Sequence, residues 1–289
     1  MKGCSVLITK NEFAVLAALE REPGTSQRAI AARKAMSLGS VNAAYKALVD
    51  KGLVVDGALS DAGFEALAPF KVDNAIILAA GLSSRFAPIS YEKPKGLLHV
   101  RGEILIERQI RQLQESGIDD ITVVAGYKKE YFFYLASKFG VRIKVNPQYA
   151  TRNNSYTLWL VRDRLDNTYV CSSDDYFEEN PFEHYVYEAY YATQYVDGPT
   201  EEWCVTTGSS DRITQVSVGG TTPGQCSATR TSTVRSPQAL SRFSMMPCVD
   251  PSWQTGFGKT SSAPTQTSCT WPLGAIPEPR FTSLTPLIR

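Results

Sequence analysis

Three small residues, Ala79-Ala80-Gly81, end a short apolar run, and Arg85 follows four positions past the glycine. Lys93-Pro94-Lys95 comes next. Small side chains let backbone N–H groups approach a phosphate or a base closely. Arg85 and Lys95 can neutralise a triphosphate and the charge that develops when its α–β bond breaks. The loop lacks the Gly-Lys-Ser/Thr ending of a P-loop and the third glycine of a dinucleotide fingerprint. Taken alone, it also fits a strand–turn–helix of some other α/β domain. Two further positions could complete the chemistry. Asp174 lies where the run Thr168 to Ser173 reads as a buried strand entering an acidic turn. A carboxylate there suits a Mg²⁺ bridging to a nucleotide, and a solvated turn is the alternative. Asn153 and Asn154 offer donor and acceptor together, suited to a base edge or ribose, or to capping a helix through Trp159.

These residues need a scaffold, and the pattern around them supplies one. Ala75 to Leu78 reads as a buried strand of a parallel sheet. Ile104 to Leu113 reads as an amphipathic helix ending at Gly117-Ile118, and Ile121 to Val124 as the next buried strand. A helix over Tyr131 to Phe139 and a strand over Val141 to Val145 follow. This alternation predicts a doubly wound, Rossmann-like α/β sheet, which binds ligands beyond the carboxyl ends of its strands.

Residues 1–72 are rich in Ala and Leu at helical spacing. Phe13, Leu16 and Leu19 make an apolar stripe on a first helix. Thr25-Ser26 caps a second helix carrying Ile30 and Met36. Ser37-Leu38-Gly39-Ser40 reads as a turn before a third helix with Val41, Tyr45 and Leu48 inward. Leu53 to Ser60, around Asp56-Gly57, makes a hairpin, and a last helix starts at Asp61. This order predicts a small winged helix-turn-helix domain, and the segment resembles the DNA-binding domains of MarR-like regulators. On DNA the third helix would enter the major groove, with Ser40, Asn42 and Lys46 as contacts. The block holds 9 Lys and Arg against 7 Asp and Glu, so no strong basic footprint marks it, and a protein-contact role stays open.

The catalytic block, 73–220, resembles the bacterial phosphocholine cytidylyltransferases of the sugar-phosphate nucleotidyltransferase superfamily. The likeness rests on Leu78-Ala79-Ala80-Gly81 through Phe86, Lys93-Pro94-Lys95, Leu105 to Ile110, Asn153-Asn154 with Leu158, Ser173-Asp174 with Tyr176, and Trp203 through Ile213 to Gly219-Gly220. The resemblance implies transfer of a nucleotidyl group, CMP from CTP, to a phosphorylated alcohol such as phosphocholine, with release of pyrophosphate. It implies nucleotide contacts for Ala79, Ala80, Gly81 and Arg85, the α-phosphate for Lys95, and Mg²⁺ for Asp174. Ser172 stands where the family more often has an acidic residue, which weakens the metal shell. Tyr187, Tyr190, Tyr191 and Trp203 could form a cation–π cage for a quaternary ammonium, or could be core. A sugar-1-phosphate nucleotidyltransferase is the near alternative. A winged-helix transcription regulator with a nucleotide-sensing transferase-like domain is the distant one.

Residues 221–289 differ from both blocks. They hold nine of the 16 prolines, are crowded with Ser and Thr, and predict an irregular, disordered tail. Around Thr221 to Ser236, the allowed codons read two bases downstream, from the third base of the preceding codon, can spell D-D-T-W-P-M-L-G-H-A-Y-F-D-R-S-F. The same offset gives D-R-L-W-E-D-L around Thr255 to Ser261 and a string such as V-H-E-F-D-S-L-D around Phe281 to Leu287. Each string is aromatic and acidic where the family is, so a frameshift near Gly219-Gly220 is expected. A natural Ser/Thr/Pro-rich tail is the alternative. The tail's acids are Asp250 and Glu278, neither in a strand context for the family's second metal carboxylate. The chain as written would then have little transferase activity.

Net charge is +1, which points to neither a nucleic-acid nor a membrane partner. No apolar run approaches the roughly 20 residues of a membrane span, and the N-terminal apolar stretch is too short for a secretory signal. Six scattered cysteines without a C-x-x-C pair predict neither zinc nor a disulfide framework. Reduced thiols in a cytoplasmic protein are the expectation.

Overall fold

The structure, a computed structural model, describes residues 7–83, 87–152, 154–196, 200–208, 212–220, 224–227 and 232–234. The chain forms two compact units, Met1–Lys71 with Tyr185–Tyr187, and Val72–His184 with Glu188–Arg289.

The first unit is a winged helix. Helix α1 (Lys10–Arg21) starts in a capping box between Thr9 and Glu12, which satisfies backbone donors left over at a helix start. Ser26 caps α2 (Gln27–Arg33) and Ser37 caps α3 (Leu38–Asp50). Strands β1 (Val54–Val55) and β2 (Ala58–Leu59) pair across Asp56-Gly57, both at positive φ as a tight hairpin turn requires. Ser60 caps α4 (Asp61–Leu67). Val15, Leu16, Ile30, Val41, Leu48 and Leu53 are fully buried between these elements. Tyr187 joins this core. Its ring stacks on Phe70 at 5.3 Å and tilts against Phe13 at 5.3 Å. Ser37-Leu38-Gly39-Ser40 is not a separate turn. Ser37 accepts from the Ser40 backbone N–H at 3.0 Å, so the helix begins at Leu38, and Gly39 is tolerated in its first turn.

The second unit is built on a five-stranded sheet. Strand β3 (Asn74–Ala79) is followed by a small hairpin of β4 (His99–Val100) and β5 (Glu103–Ile104), then α5 (Leu105–Glu115). Strand β6 (Ile121–Ala125) comes next, with α6 (Tyr134–Phe139), β7 (Arg142–Val145), α7 (Asn154–Trp159) and β8 (Thr168–Ser172) after it. Strands β8, β3, β6 and β7 run parallel in that order, and β3 is central. Its β-branched and aliphatic residues are buried on both faces, as the unbroken apolar run requires. A second, antiparallel sheet holds β9 (Gln194–Val196), β10 (Thr200–Thr207), β11 (Ile213–Gly220) and β12 (Gly224–Ser227) in the order β11-β10-β12-β9. No helix among the described residues is long and apolar enough to cross a membrane.

Two expectations need correction. Residues 221–289 are not irregular throughout. Gly224–Ser227 pairs with β10 and β9, and β13 (Ser232–Val234) adds an antiparallel edge to β8. Strand pairing uses backbone groups, so Ser, Thr and Val can supply it without the family's side chains. Residues 235–289 lie outside the described residues. The thiols are not all reduced either. Cys171 is a buried thiol, but Cys204 is disulfide-bonded. Cys204 stands opposite Cys226 in the β10–β12 register, a pairing of positions that sequence distance does not reveal.

Candidate active site

The site forms beyond the carboxyl ends of β3 and β8. Ala79 and Ala80 are buried at the end of β3, and Gly81 is exposed. A Cβ at Gly81 would meet nothing within 4 Å, so the loop opens onto free space where a ligand can reach its backbone. Gly126, at the end of β6, does the opposite. A Cβ there would sit 2.5 Å from the Tyr149 Cβ and 2.7 Å from the Ala80 carbonyl oxygen. The missing side chain lets the two strand exits pack together, and the Tyr127 N–H points at the Ala80 oxygen at 3.5 Å.

Lys95, in the segment after β3, and Asp174, just past β8, come together. Lys95 Nζ lies 3.3 Å from Asp174 Oδ2, and the Ser172 hydroxyl donates to Oδ1 at 2.7 Å. Burial works against the Asp174 charge. The Lys95 ammonium and the Ser172 hydroxyl more than offset it and hold the carboxyl below its ordinary range. Gly96 makes the approach possible. A Cβ there would fall 2.9 Å from the Ser173 Cβ, so the lysine loop rests directly on the β8 exit. The Ser173 N–H donates to the Leu78 oxygen at 3.1 Å, tying that exit to β3.

Ser172 donates to Asp174, so it orients the carboxylate without adding a ligand charge. Among the described residues no group of three or more His, Cys, Asp or Glu is gathered. One carboxylate suits a Mg²⁺ that brings the triphosphate and its own waters as remaining ligands. It does not suit an all-protein metal cage.

The other expected residues are placed as follows. Arg85 and Asn153 lie outside the described residues. Asn154 is the first residue of α7 and is exposed. The four aromatic residues are divided between the two units. Tyr187 belongs to the winged-helix core, where Phe13 and Phe70 claim its faces. Tyr190 is in the other unit, its hydroxyl 3.4 Å from that of buried Tyr169. Tyr191 is half-buried, and Trp203 lies in β10 opposite Val218. In the winged helix, Asn42 and Lys46 are exposed on α3. Ser40 is half-buried, its hydroxyl 2.8 Å from that of Ser37.

Sequence reasoning missed the support beneath Asp174. Arg108, Gln109 and Gln112 on α5 hold the backbone around it. The available signal was polar residues on the buried side of an amphipathic helix. Gln109 and Gln112 are 1% and 4% exposed.

Comparison with known proteins agrees with this fold. Residues 75–179 match the MobA-like NTP transferase domain family, and residues 8–55 match a winged helix-turn-helix DNA-binding family. A choline-phosphate cytidylyltransferase of Streptococcus pneumoniae is 42% identical over 144 residues, 50% of this chain and 63% of that protein. A 2-aminoethylphosphonate cytidylyltransferase of Lancefieldella rimae is 34% identical over 151 residues, 51% of this chain and 61% of that protein. The chain thus spans less than two thirds of these curated relatives. The solved structure of CTP:phosphocholine cytidylyltransferase from Streptococcus pneumoniae superposes with a TM-score of 0.56 at 38% identity, covering 59% of this chain and 74% of that one. The small-residue loop, the lysine and the strand-end aspartate therefore all fall within the matched segment, and residues 75–179 of the chain are a MobA-like NTP transferase domain, with a winged helix-turn-helix ahead of it in the sequence.

Proposed function

We propose that the second unit transfers CMP from CTP to phosphocholine or a closely related phosphorylated alcohol and releases pyrophosphate. The observation that carries this reading is the Lys95–Asp174 pair, 3.3 Å apart just past the carboxyl end of β8. A phosphate oxygen of the acceptor attacks the α-phosphorus in line. The new P–O bond forms as the bond to the bridging oxygen of the β-phosphate breaks, and pyrophosphate leaves with that electron pair. Such a transfer needs positioning and charge neutralisation, not a protein nucleophile. Lys95 would neutralise the α-phosphate, and the backbone of Ala79 to Gly81 would receive the nucleotide, with Arg85, Asn153 and Asn154 as further contacts. Asp174 would hold Mg²⁺, which supplies charge neutralisation on the phosphates when bound. The two curated relatives act on a phosphocholine and a phosphonate, which supports an acceptor of that class over a sugar phosphate.

The winged helix would contact DNA through Asn42 and Lys46, which are exposed on α3. Ser40 is a poorer contact because its hydroxyl already faces the Ser37 cap. The reading frame is displaced near Gly219-Gly220, and the frame-restored protein would carry the transferase activity.

A melting-temperature panel tests the reading. CTP with Mg²⁺ should raise the melting point more than ATP, GTP or UTP, and phosphocholine should add to it. An equal response to all four nucleotides would remove the cytidine assignment.

A further inference from the structure

Helix α5 turns hydrogen-bonding side chains toward the segment that carries Asp174. Gln109 Nε2 donates to the Ser172 oxygen at 3.1 Å, and Gln112 Nε2 to the Phe177 oxygen at 3.2 Å. Arg108 Nε donates to the same Phe177 oxygen at 2.9 Å, and Nη2 to the Glu178 oxygen at 2.7 Å. Its Nη1 pairs with Glu103, and its guanidinium carbon lies 5.1 Å from the centre of the Tyr176 ring. The gripped carbonyls therefore bracket Asp174 on both sides.

Packing alone does not ask for this. Gln109 is 1% exposed, and its Oε1 has no hydrogen-bond partner among the described residues. A leucine would fill a similar volume without burying an unmet acceptor. The amide is retained for one bond, to the carbonyl two residues before Asp174. Arg108 is likewise committed to Glu103, Phe177 and Glu178, so any influence on a phosphate runs through the loop it holds. A lysine could not reproduce the fork, because an ammonium is a point charge without fixed donor directions.

We infer that Arg108 and Gln109 are positioning residues for Asp174. They preset its carboxylate for the metal–triphosphate complex, as outer-shell partners set a metal ligand. The inference rests on the nucleotidyl-transfer reading above.

Calorimetric titration of CTP into the full chain, in EDTA and in saturating Mg²⁺, tests it. The wild-type chain should bind CTP more tightly with Mg²⁺. Arg108→Lys and Gln109→Leu should each lose at least about tenfold of that metal-dependent gain, with affinity in EDTA unchanged. Gln114→Ala should keep the gain, because that amide binds the Phe139 oxygen at 3.0 Å, away from the Asp174 loop. A full gain in both variants would overturn the inference. So would an equal loss with and without Mg²⁺, or failure of both to fold, since the residues would then be structural only. Absence of CTP binding by the wild-type chain would remove the nucleotide reading itself, and this inference with it.

Discussion

Lys95 Nζ and Asp174 Oδ2 lie 3.3 Å apart, so the two charges that the proposed reaction needs are paired with each other. A nucleotide with its metal must exchange this contact for two others, ammonium to phosphate and carboxylate to metal. The pair is part-exposed, with 20% of the lysine and 36% of the aspartate side chain accessible, so the exchange meets little resistance.

Lys95→Ala in the frame-restored protein should lower turnover by at least about tenfold, because a charge contact made at the transition state is worth more than one kcal/mol. It should also free Asp174, so Mn²⁺ alone should bind more tightly to the variant. Steady-state kinetics and a Mn²⁺ titration read the two effects. Unchanged turnover would remove Lys95 from the mechanism.

Gly126→Ala should destabilise the second unit by about 1–3 kcal/mol, the usual cost of overpacking. The new methyl would meet the Tyr149 Cβ at 2.5 Å and the Ala80 oxygen at 2.7 Å. Either neighbour must move, so CTP affinity should fall as well. Chemical denaturation with a CTP titration checks both, and a silent substitution would refute the packing argument.

Tyr187→Ala should destabilise the winged helix by about 2 kcal/mol, because the ring completes a cluster with Phe13 and Phe70. A fragment ending at residue 72 lacks it and should melt below the full-length protein's winged helix. Hydrogen exchange of α1 amides in the two proteins measures this. Equal protection would show the ring to be dispensable.

If the winged helix binds DNA, affinity should fall steeply with salt, and Lys46→Ala should reduce the salt slope by about one phosphate contact. Fluorescence anisotropy on genomic fragments reads the slope. No binding at low salt would favour a protein-contact role.

Much of the fold was legible because its signals are periodic. The unbroken apolar runs at Ile76 and Val123 announced central parallel strands, and Ser26, Ser60 and Asp56-Gly57 marked caps and a turn. Asp174 was legible as a candidate from its place after a strand, and Lys95 from its spacing past the small-residue loop. What stayed hidden depends on distance in the fold. Tyr187 sits in sequence among transferase residues, yet packs on Phe13, and no local pattern announces that. Cys204 and Cys226 become facing residues only once strands pair. Gln109 and Arg108 looked like an ordinary polar helix face, because sequence does not say which carbonyls lie beneath it. The strands at 224–227 and 232–234 were missed because their pairing is made by backbone.

In the proposed reaction, nucleotidyl transfer depends on Asp174. The most direct measurement is chromatographic detection of CDP-choline and pyrophosphate from CTP, phosphocholine and Mg²⁺, with frame-restored protein and its Asp174→Asn variant. The account predicts equal amounts of both products from the first protein and neither from the second, which should remain folded. No nucleotidyl product from any nucleotide and acceptor, or undiminished product from Asp174→Asn, would contradict it.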